Sequence, residues 1–589
     1  MPSDPFTTAN AALVVAHSNA VAGVTAQLTA CQQQHVKDLQ QIAALQSQAT
    51  SLTATITANA AVIKAANATI ADLNAKLAAA LQPVPTPTTQ ASSWLGWNAD
   101  FVSYYTEPVL SDCLRQFSGG WSKPWPNNQT PCPVDANGYP TEPGTTTAGI
   151  SMIHRSAGNY VVAIKGNCLL TIRGQAAPVW NGPGTLGGVA YDQIGTIHYV
   201  PTTDGANVFF DVAAADPSKP FSFTEGHVWH PSYEPGGANQ GKTFLIEFIA
   251  PLKGSACLRV LQAMKMITRD DVNWSDRAKP TDFSWASGLP LEIAIQMAIE
   301  AGVTWLWYNG PLNGTDDYFT QAALTIKAKW GKPWVGERYD EFWNKYGEIS
   351  RGYQKCLAIA TDPVTGPLYD GTTTGGVWKQ SPPGVSVTNS EERTWRVAGD
   401  LQHQTAEIFV VADPNCHPVL CGQAGDSRVL DWAAAYVFAK YGSPLFTDFA
   451  IAPYHEPLIG PKYSDAASFL AADAKFIAEM LPGQLSAFVS TCKMYGRGQM
   501  LYECGASYDD FYFYFSGDPA AIRAQIFASP QYQTNEAAYW PQLRAVAGVA
   551  NVFVWYGSDG PWNFASGADG LIPAKLAANP RMMALRSAQ

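Results

Sequence analysis

Two hydrophobic rhythms divide the chain. Over residues 1–82 apolar side chains recur every seven positions. One register places Val14, Val21, Leu28, His35, Ile42, Ala49, Ile56, Ile63, Ile70 and Leu77 at one seam position. Val24, Cys31, Asp38, Leu45, Leu52, Asn59, Ala66, Leu73 and Ala80 then fall at the other. A repeat sustained over so many heptads predicts a long helix in a left-handed coiled coil. One helix with such a stripe does not stay alone in water, so the chain is expected to oligomerise. At about 1.5 Å per residue the rod would be roughly 100 Å long. β-Branched residues at the first position with Leu at the second favour two strands, while His35, Asp38 and Asn59 in the seam specify register and oligomer number. By analogy with fibrous stalks that carry C-terminal heads, a trimer is expected; a helical hairpin folded onto the body is the alternative. Residues 83–93 (PVPTPTTQASS) read as a semi-rigid Pro/Thr linker.

From Trp94 the rhythm is that of a folded body. Residues 94–149 hold a first strand, around SWLGWN, and a connection. Across 150–250 short runs such as YVVAIKG, CLLTIRG, GTIHYV, NVFFDV and TFLIEFI alternate with Gly, Pro and Asp turns, which predicts an inserted β-sandwich. Across 251–589 apolar strands alternate with helical patterns such as LPLEIAIQMAIEAG and SRVLDWAAAYVFAKYG. The strands are CLRVLQ, VTWLWYN, KPWVGERY, PVLCGQ, FAIAPY, QMLYE and NVFVWYG. With the strand near 93–98 they make eight β/α units. The fold class is therefore α/β, a (β/α)8 TIM barrel with an inserted β-sandwich behind a long N-terminal α-helical coiled coil.

Composition narrows the partners. The 589 residues carry 37 Lys and Arg against 48 Asp and Glu, a net charge of −11, with no basic block, so a nucleic-acid partner is not expected. Charged residues are only 14% while aromatics reach 12%, including 19 Trp, which predicts a large core and suits surfaces that stack on sugar C–H faces. No uninterrupted apolar run reaches bilayer length, so no membrane span is expected. The opening MPSDPFTTANAALVV lacks a basic n-region, and no signal peptide is read. The ten cysteines are scattered and expected to be buried thiols, with a Cys113–Cys132 disulfide as the alternative. His227 and His230 lack a third ligand at metal spacing, so no metal is expected, and no cofactor motif stands out.

In a barrel, functional residues sit at the C-terminal ends of strands. The fourth strand runs into Glu337, Arg338, Tyr339, Asp340 and Glu341, the seventh into Glu503; of these, Asp340, Glu341 and Glu503 are the candidate acids. Strands four and seven face each other across the mouth, where two carboxylates can act as acid/base and nucleophile in glycosidic cleavage. Spacing alone leaves open that they are rim acids in structural hydrogen bonds. Asp316 and Asp317 line the same cleft or are solvated loop acids.

The string YDEFWN (Tyr339 to Asn344) resembles the strand-four Asn-Glu motif of cellulase-like glycoside hydrolases of clan A, and LYECG (Leu501 to Gly505) resembles that clan's strand-seven nucleophile segment. LGWNADFVSYY, DANGYP, WSDRAKP, GLPLEIAIQMA and GTDDYF are similar to further segments in the same order, so the resemblance covers roughly residues 94–589. It implies a retaining hydrolase with Glu341 as acid/base and Glu503 as nucleophile. It also implies Arg259 and Tyr454 as partners of the nucleophile, Trp555 as the floor of the sugar site, and His455 and Asn98 among substrate contacts. Asp340 stands where the clan has Asn; a carboxylate there only accepts hydrogen bonds and repels its neighbour, which puts turnover in doubt.

A stalk on a glycan-active head without a signal peptide resembles a bacteriophage tail fibre or tailspike. That resemblance implies a virion protein made in host cytoplasm and acting outside on a cell-surface polysaccharide. Its other implied partners are neighbouring tail proteins, met through the N-terminal helix. A tail component that binds glycan without cutting it is the rival; a bacterial surface enzyme exported by an unrecognised route is a third reading.

Overall fold

The computed structural model describes residues 5–80, 94–100, 102, 109–117, 120–124, 126–127, 130–147, 150–151, 157–173, 177–200, 207–339, 342–345, 350–442, 444–454, 462–504, 519–548 and 554–556. The chain divides into two units, Met1–Thr88 and Thr89–Gln589. The linker read at 83–93 lies outside the described residues.

The first unit is one helix, α1 (Pro5–Ala80), 76 residues long. It is the predicted long helix. Its seam residues stand in the open: Val21 is 52% exposed, Leu28 58% and Leu45 56%. By mean hydropathy, which reaches 1.3, the stretch Ala9–Leu52 is long and apolar enough to cross a membrane. This corrects the expectation that no stretch qualifies. Isolated Thr, Gln and Asn break every apolar run, yet the Ala, Val and Leu between them carry the average.

The second unit is built on parallel strands. They are β1 (Trp97–Ala99), β2 (Cys257–Arg259), β3 (Trp305–Asn309), β4 (Trp334–Glu337), β5 (Cys416–Gln423), β6 (Asp448–Ala452), β7 (Gly498–Leu501) and β8 (Val554–Tyr556). They form one eight-stranded sheet in the order β7-β6-β5-β4-β3-β2-β1-β8, with every pair parallel. The order is that of a TIM barrel, and each of the eight strands overlaps its predicted segment. A β7–β8 pair that would close the ring is not among the described residues.

Side-chain alternation shows how the sheet is used. Cys257, Trp305, Trp307, Val335, Val419, Cys421, Ala450 and Met500 pack in one cluster. Their strand neighbours Leu258, Leu306, Tyr308, Trp334, Leu420, Phe449, Ile451 and Leu501 pack in another with the helices. One parity is therefore interior and the other meets the helical layer, as sheet curvature with outer helices requires. Trp97, Trp307, Trp334, Trp395 and Trp540 are fully buried. Each large aromatic removes roughly 150–250 Å² from water, about 4–6 kcal/mol of transfer energy at ~25 cal/mol/Å².

The connecting helices start and stop by local chemistry. Thr315 accepts a hydrogen bond from the Tyr318 amide at the head of helix Asp316–Lys329, and Gly302 closes helix Leu291–Ala301 at φ 66°, which a side chain would resist. Asp316 and Asp317 occupy the first turn of their helix, where they complement its dipole.

Between β1 and β2 lie two four-stranded antiparallel sheets. One holds Trp121–Ser122, Gly144–Thr146, Phe210–Ala213 and Leu169–Ile172; the other holds Glu225–Trp229, Gly158–Lys165, Val189–Tyr199 and Val179–Leu186. Tyr160, Val162 and Ile164 from the second share a cluster with Leu170, Ile172, Phe210 and Val212 from the first. All ten cysteines are free thiols, nine of them buried; Cys113 and Cys132 lie in that same cluster unbonded.

Candidate active site

Interior parity carries four polar side chains to the C-terminal ends of the first four strands: Asn98, Arg259, Asn309 and Glu337. Register sets them side by side. Asn98 pairs with Arg259, Arg259 with Trp307, and Asn309 with Glu337. A one-residue slip of any of these strands would turn its polar group into the helical layer.

Arg259 is the hub. Its Nη1 donates to Glu503 Oε1 at 2.7 Å and to Asn98 Oδ1 at 3.2 Å, and its Nε donates to Asn309 Oδ1 at 3.1 Å. Its Nη2 lies 3.7 Å from Glu337 Oε2. That same oxygen accepts from Asn309 Nδ2 at 2.6 Å and from Trp307 Nε1 at 3.3 Å. The guanidinium also faces the Trp307 and Tyr502 rings, 5.6 and 5.1 Å from their centroids. Asn98 Nδ2 donates to the Tyr502 carbonyl, tying β1 to the segment that carries Glu503.

Accessibility separates the two carboxylates on this arginine. The side chains of Arg259 and Glu337 are 0% exposed, whereas Glu503 is 8% exposed. Glu503 is therefore the group that reaches outward, and Glu337 stands behind it. The second Glu503 oxygen, Oε2, accepts from the half-buried Tyr454 hydroxyl. With Arg259 on one oxygen and Tyr454 on the other, the carboxylate is held in one orientation beside a cation, as a nucleophile or a stabiliser of positive charge must be. Burial first, then the Glu503 charge, pushes the neighbouring Cys504 thiol well above its ordinary range, so the sulfur is no competing nucleophile.

Of the residues read from sequence, Arg259, Glu503, Tyr454 and Asn98 come together. Asn98 is fully buried and spent on Arg259 and Tyr502, the position of a support. Asp340, Glu341 and His455 lie outside the described residues, and Trp555 is described only as part of β8. Sequence reading missed Glu337, Asn309 and Trp307. The available signal was the strand-end rule itself, since Glu337 is the last residue of β4.

A cationic pair also went unread beside the site. Arg338 donates to the Leu312 carbonyl and to Thr405, with Phe319 under its guanidinium, and burial brings it down to about 10. Lys355 donates to the same carbonyl and to Asn313; burial and then the Arg338 charge bring it down to about 8. Together they pin the loop that follows β3. His227 and His230 diverge: His227 meets Asp112 and Glu225, and the His230 ring meets the Tyr160 hydroxyl.

No protein-family model matches this chain, and no curated protein matches it. Solved structures with partial overlap are glycoside hydrolases of families 10, 5 and 51. Native xylanase10C from Cellvibrio japonicus overlaps with 9% identity over 80% of this chain and 97% of its own, at a TM-score of 0.28. The family 5 xyloglucanase from Paenibacillus pabuli overlaps with 10% identity over 60% of this chain and 93% of its own, at 0.31. A family 51 α-L-arabinofuranosidase from Bifidobacterium longum overlaps with 13% identity over 67% of this chain and 71% of its own, at 0.30. Overlap of this extent fixes no family.

Proposed function

We propose that the second unit binds and hydrolyses a polysaccharide with retention of configuration, Glu503 acting as nucleophile and Glu341 as acid/base. The observation that carries the reading is Glu503 at the outlet of the parallel sheet, with one oxygen on Arg259 and the other on Tyr454. Retention requires the Glu341 and Glu503 carboxyls about 5–5.5 Å apart. The two antiparallel sheets between β1 and β2 are read as an inserted sandwich. The exposed heptad stripe of α1 supports a homotrimeric stalk, and stalk and head together support a tail-fibre-like virion protein that meets a cell-surface glycan. A binder without turnover is the second reading, favoured by Asp340 in place of Asn.

The test is release of reducing ends from purified bacterial capsular and O-antigen polysaccharides by the full chain and by Glu503→Gln. The wild-type chain should cut at least one of them, and the variant should lose about 10³-fold or more in rate, since it lacks the nucleophile. With Glu503→Ala, added azide should restore cleavage and give a glycosyl azide of inverted configuration. Equal release by wild type and Glu503→Gln overturns the assignment. Retained glycan binding with no release by wild type selects the binder.

A further inference from the structure

A second cleft, lined by neither Arg259 nor Glu503, lies between the antiparallel sheet that holds Glu225–Trp229 and helix Leu291–Ala301. Its volume is about 480 Å³. Ligand pockets span about 300–1,000 Å³. Its wall is aromatic. The rings of His227 and Trp229 lie parallel at 4.6 Å with a 9° tilt. Tyr191 meets both edge-on, at 6.0 and 6.4 Å. Trp285 lies on the lining with the Arg115 guanidinium 5.8 Å from its ring centre. These rings are fixed in advance: Glu225–Trp229 is a strand paired antiparallel to Gly158–Lys165, and Trp229 bridges to Asp112. A preformed wall spares the ordering cost of binding.

Three titratable side chains of the lining, Asp112, Arg115 and His227, are held by one another and by Glu225. His227 Nδ1 meets Asp112 Oδ2 at 2.8 Å and its Nε2 meets Glu225 Oε1 at 3.2 Å. Arg115 Nε lies 3.3 Å from Asp112, while its other nitrogens donate to the Tyr139 hydroxyl and to the carbonyls of Asp282, Phe283 and Gly226. Asp112, Arg115, His227 and Glu225 thus engage one another, and the exposed Lys242 is the one charged side chain of the lining outside this network. A ligand meets the edges of this aromatic wall and the part-exposed Trp229, with the exposed Gln240 and Lys242 side chains and the Thr243 segment also on the lining. Ring faces take sugar C–H faces, and rim amides and hydroxyls take sugar hydroxyls.

We propose that this cleft is a second saccharide site, taking a short uncharged stretch of a glycan chain and holding it without chemistry. It goes beyond the proposed hydrolysis and does not rest on turnover at Glu503. It would keep the protein on its polymer between cuts, or anchor it if no cut occurs.

The test is saturation-transfer NMR and calorimetry on full-length Glu503→Gln. Probes are neutral tetrasaccharides of glucose, xylose, galactose and mannose, with tetragalacturonate as the acidic comparator. Two variants are added in that background: Trp229→Ala, which removes the platform, and Val189→Arg, a change at an exposed rim position that lays a long chain over the cleft. At least one neutral probe should bind, and each variant should weaken it tenfold or more, with unchanged circular dichroism for Val189→Arg. An Arg259→Lys change at the other site should leave this binding within twofold. Binding of no neutral probe, preference for tetragalacturonate, or binding unchanged in Val189→Arg overturns the proposal.

Discussion

Replacing Arg259 by Met tests the arrangement at its centre. At an effective dielectric near 20, unit charges 2.7 Å apart attract by about 6 kcal/mol and charges 3.7 Å apart by about 4 kcal/mol. Much of that gross attraction is offset by desolvation, since the arginine and Glu337 have no exposed surface. The net worth of the cluster is therefore small, but its disruption is not. Met fills the space and supplies no charge, leaving two buried carboxylates, which should cost about 3–5 kcal/mol. Lys at the same position keeps one ammonium, which serves Glu503 or Glu337 but not both, so its loss should be smaller than that of Met.

The assay is urea unfolding followed by tryptophan emission. The first tryptophan is Trp94, so the signal reports the second unit alone. At pH 7 the midpoint of Arg259→Met should fall by 3–5 kcal/mol divided by the measured m-value. Near pH 4 the gap should shrink, because the abandoned carboxylates, ordinarily near 4.3, take up protons and cease to be buried charges. Arg259→Lys should retain most of the stability and lose most of any sugar release, since one ammonium cannot hold Glu503, Asn98, Asn309 and Glu337 at once as the guanidinium does. A loss under about 1 kcal/mol at pH 7, or an equal loss at both pH values, refutes the reasoning.

Two further outcomes follow from the same physics. Burial would lower His227, but the Asp112 charge and the hydrogen bonds to Asp112 and Glu225 outweigh it and raise the ring above its ordinary range, while the His227 hydrogen bond chiefly holds Glu225 down at about 2. Stabilisation from the raised histidine is complete below its unfolded value of about 6.5 and is lost as pH rises through the folded value. The melting-temperature gap between wild type and His227→Gln should therefore narrow between pH 6 and pH 9; a constant or widening gap rejects it. The second outcome concerns α1: with Val21, Leu28 and Leu45 more than half exposed, light scattering in detergent-free buffer should return three chains per particle. A monodisperse monomer ends the fibre reading, and solubility only in detergent selects the membrane reading of Ala9–Leu52.

The eight parallel strands were legible because each is a short apolar run bounded by turn residues and separated from the next by a helical pattern. Their insides were not. Trp334–Glu337 is buried at all four positions, so no polar–apolar alternation marks which side chains turn inward. Asp340 and Glu341 are adjacent acids in a family-like string, while Glu337, three and four residues earlier, ends a strand of otherwise apolar residues with nothing in its sequence to give it a role. The hairpin Gly371–Thr374 with Val377–Gln380 was also unread. Gly375 and Gly376, at φ 59° and 76°, supply the two left-handed residues of its turn, but GTTTGGVWKQ has few large apolar residues to announce a strand. The long helix was legible from periodicity, yet its exposed seam sets hydropathy and heptad logic at odds, and only the state of association separates them.

Parity also bears on which glutamates act. Asn98, Arg259, Asn309 and Glu337 end adjacent strands on the interior side, and their hydrogen bonds run from strand to strand as a belt. A belt of this kind fixes geometry because each member is held by the register of its own strand as well as by its neighbour. Glu503 differs in kind: it follows β7 rather than ending it, so its carboxylate stands one step further out, where Arg259 reaches it from within and Tyr454 from the end of β6. Any partner in acid/base chemistry must stand at the same outer level as Glu503. Glu337, with no accessible surface, is a level too deep to touch a sugar and acts by positioning Arg259. In sequence Glu341 comes four residues after the last residue of β4 and Glu503 two after the last residue of β7. The burial of Glu337 is therefore the ground on which the proposed pairing of Glu503 passes over it.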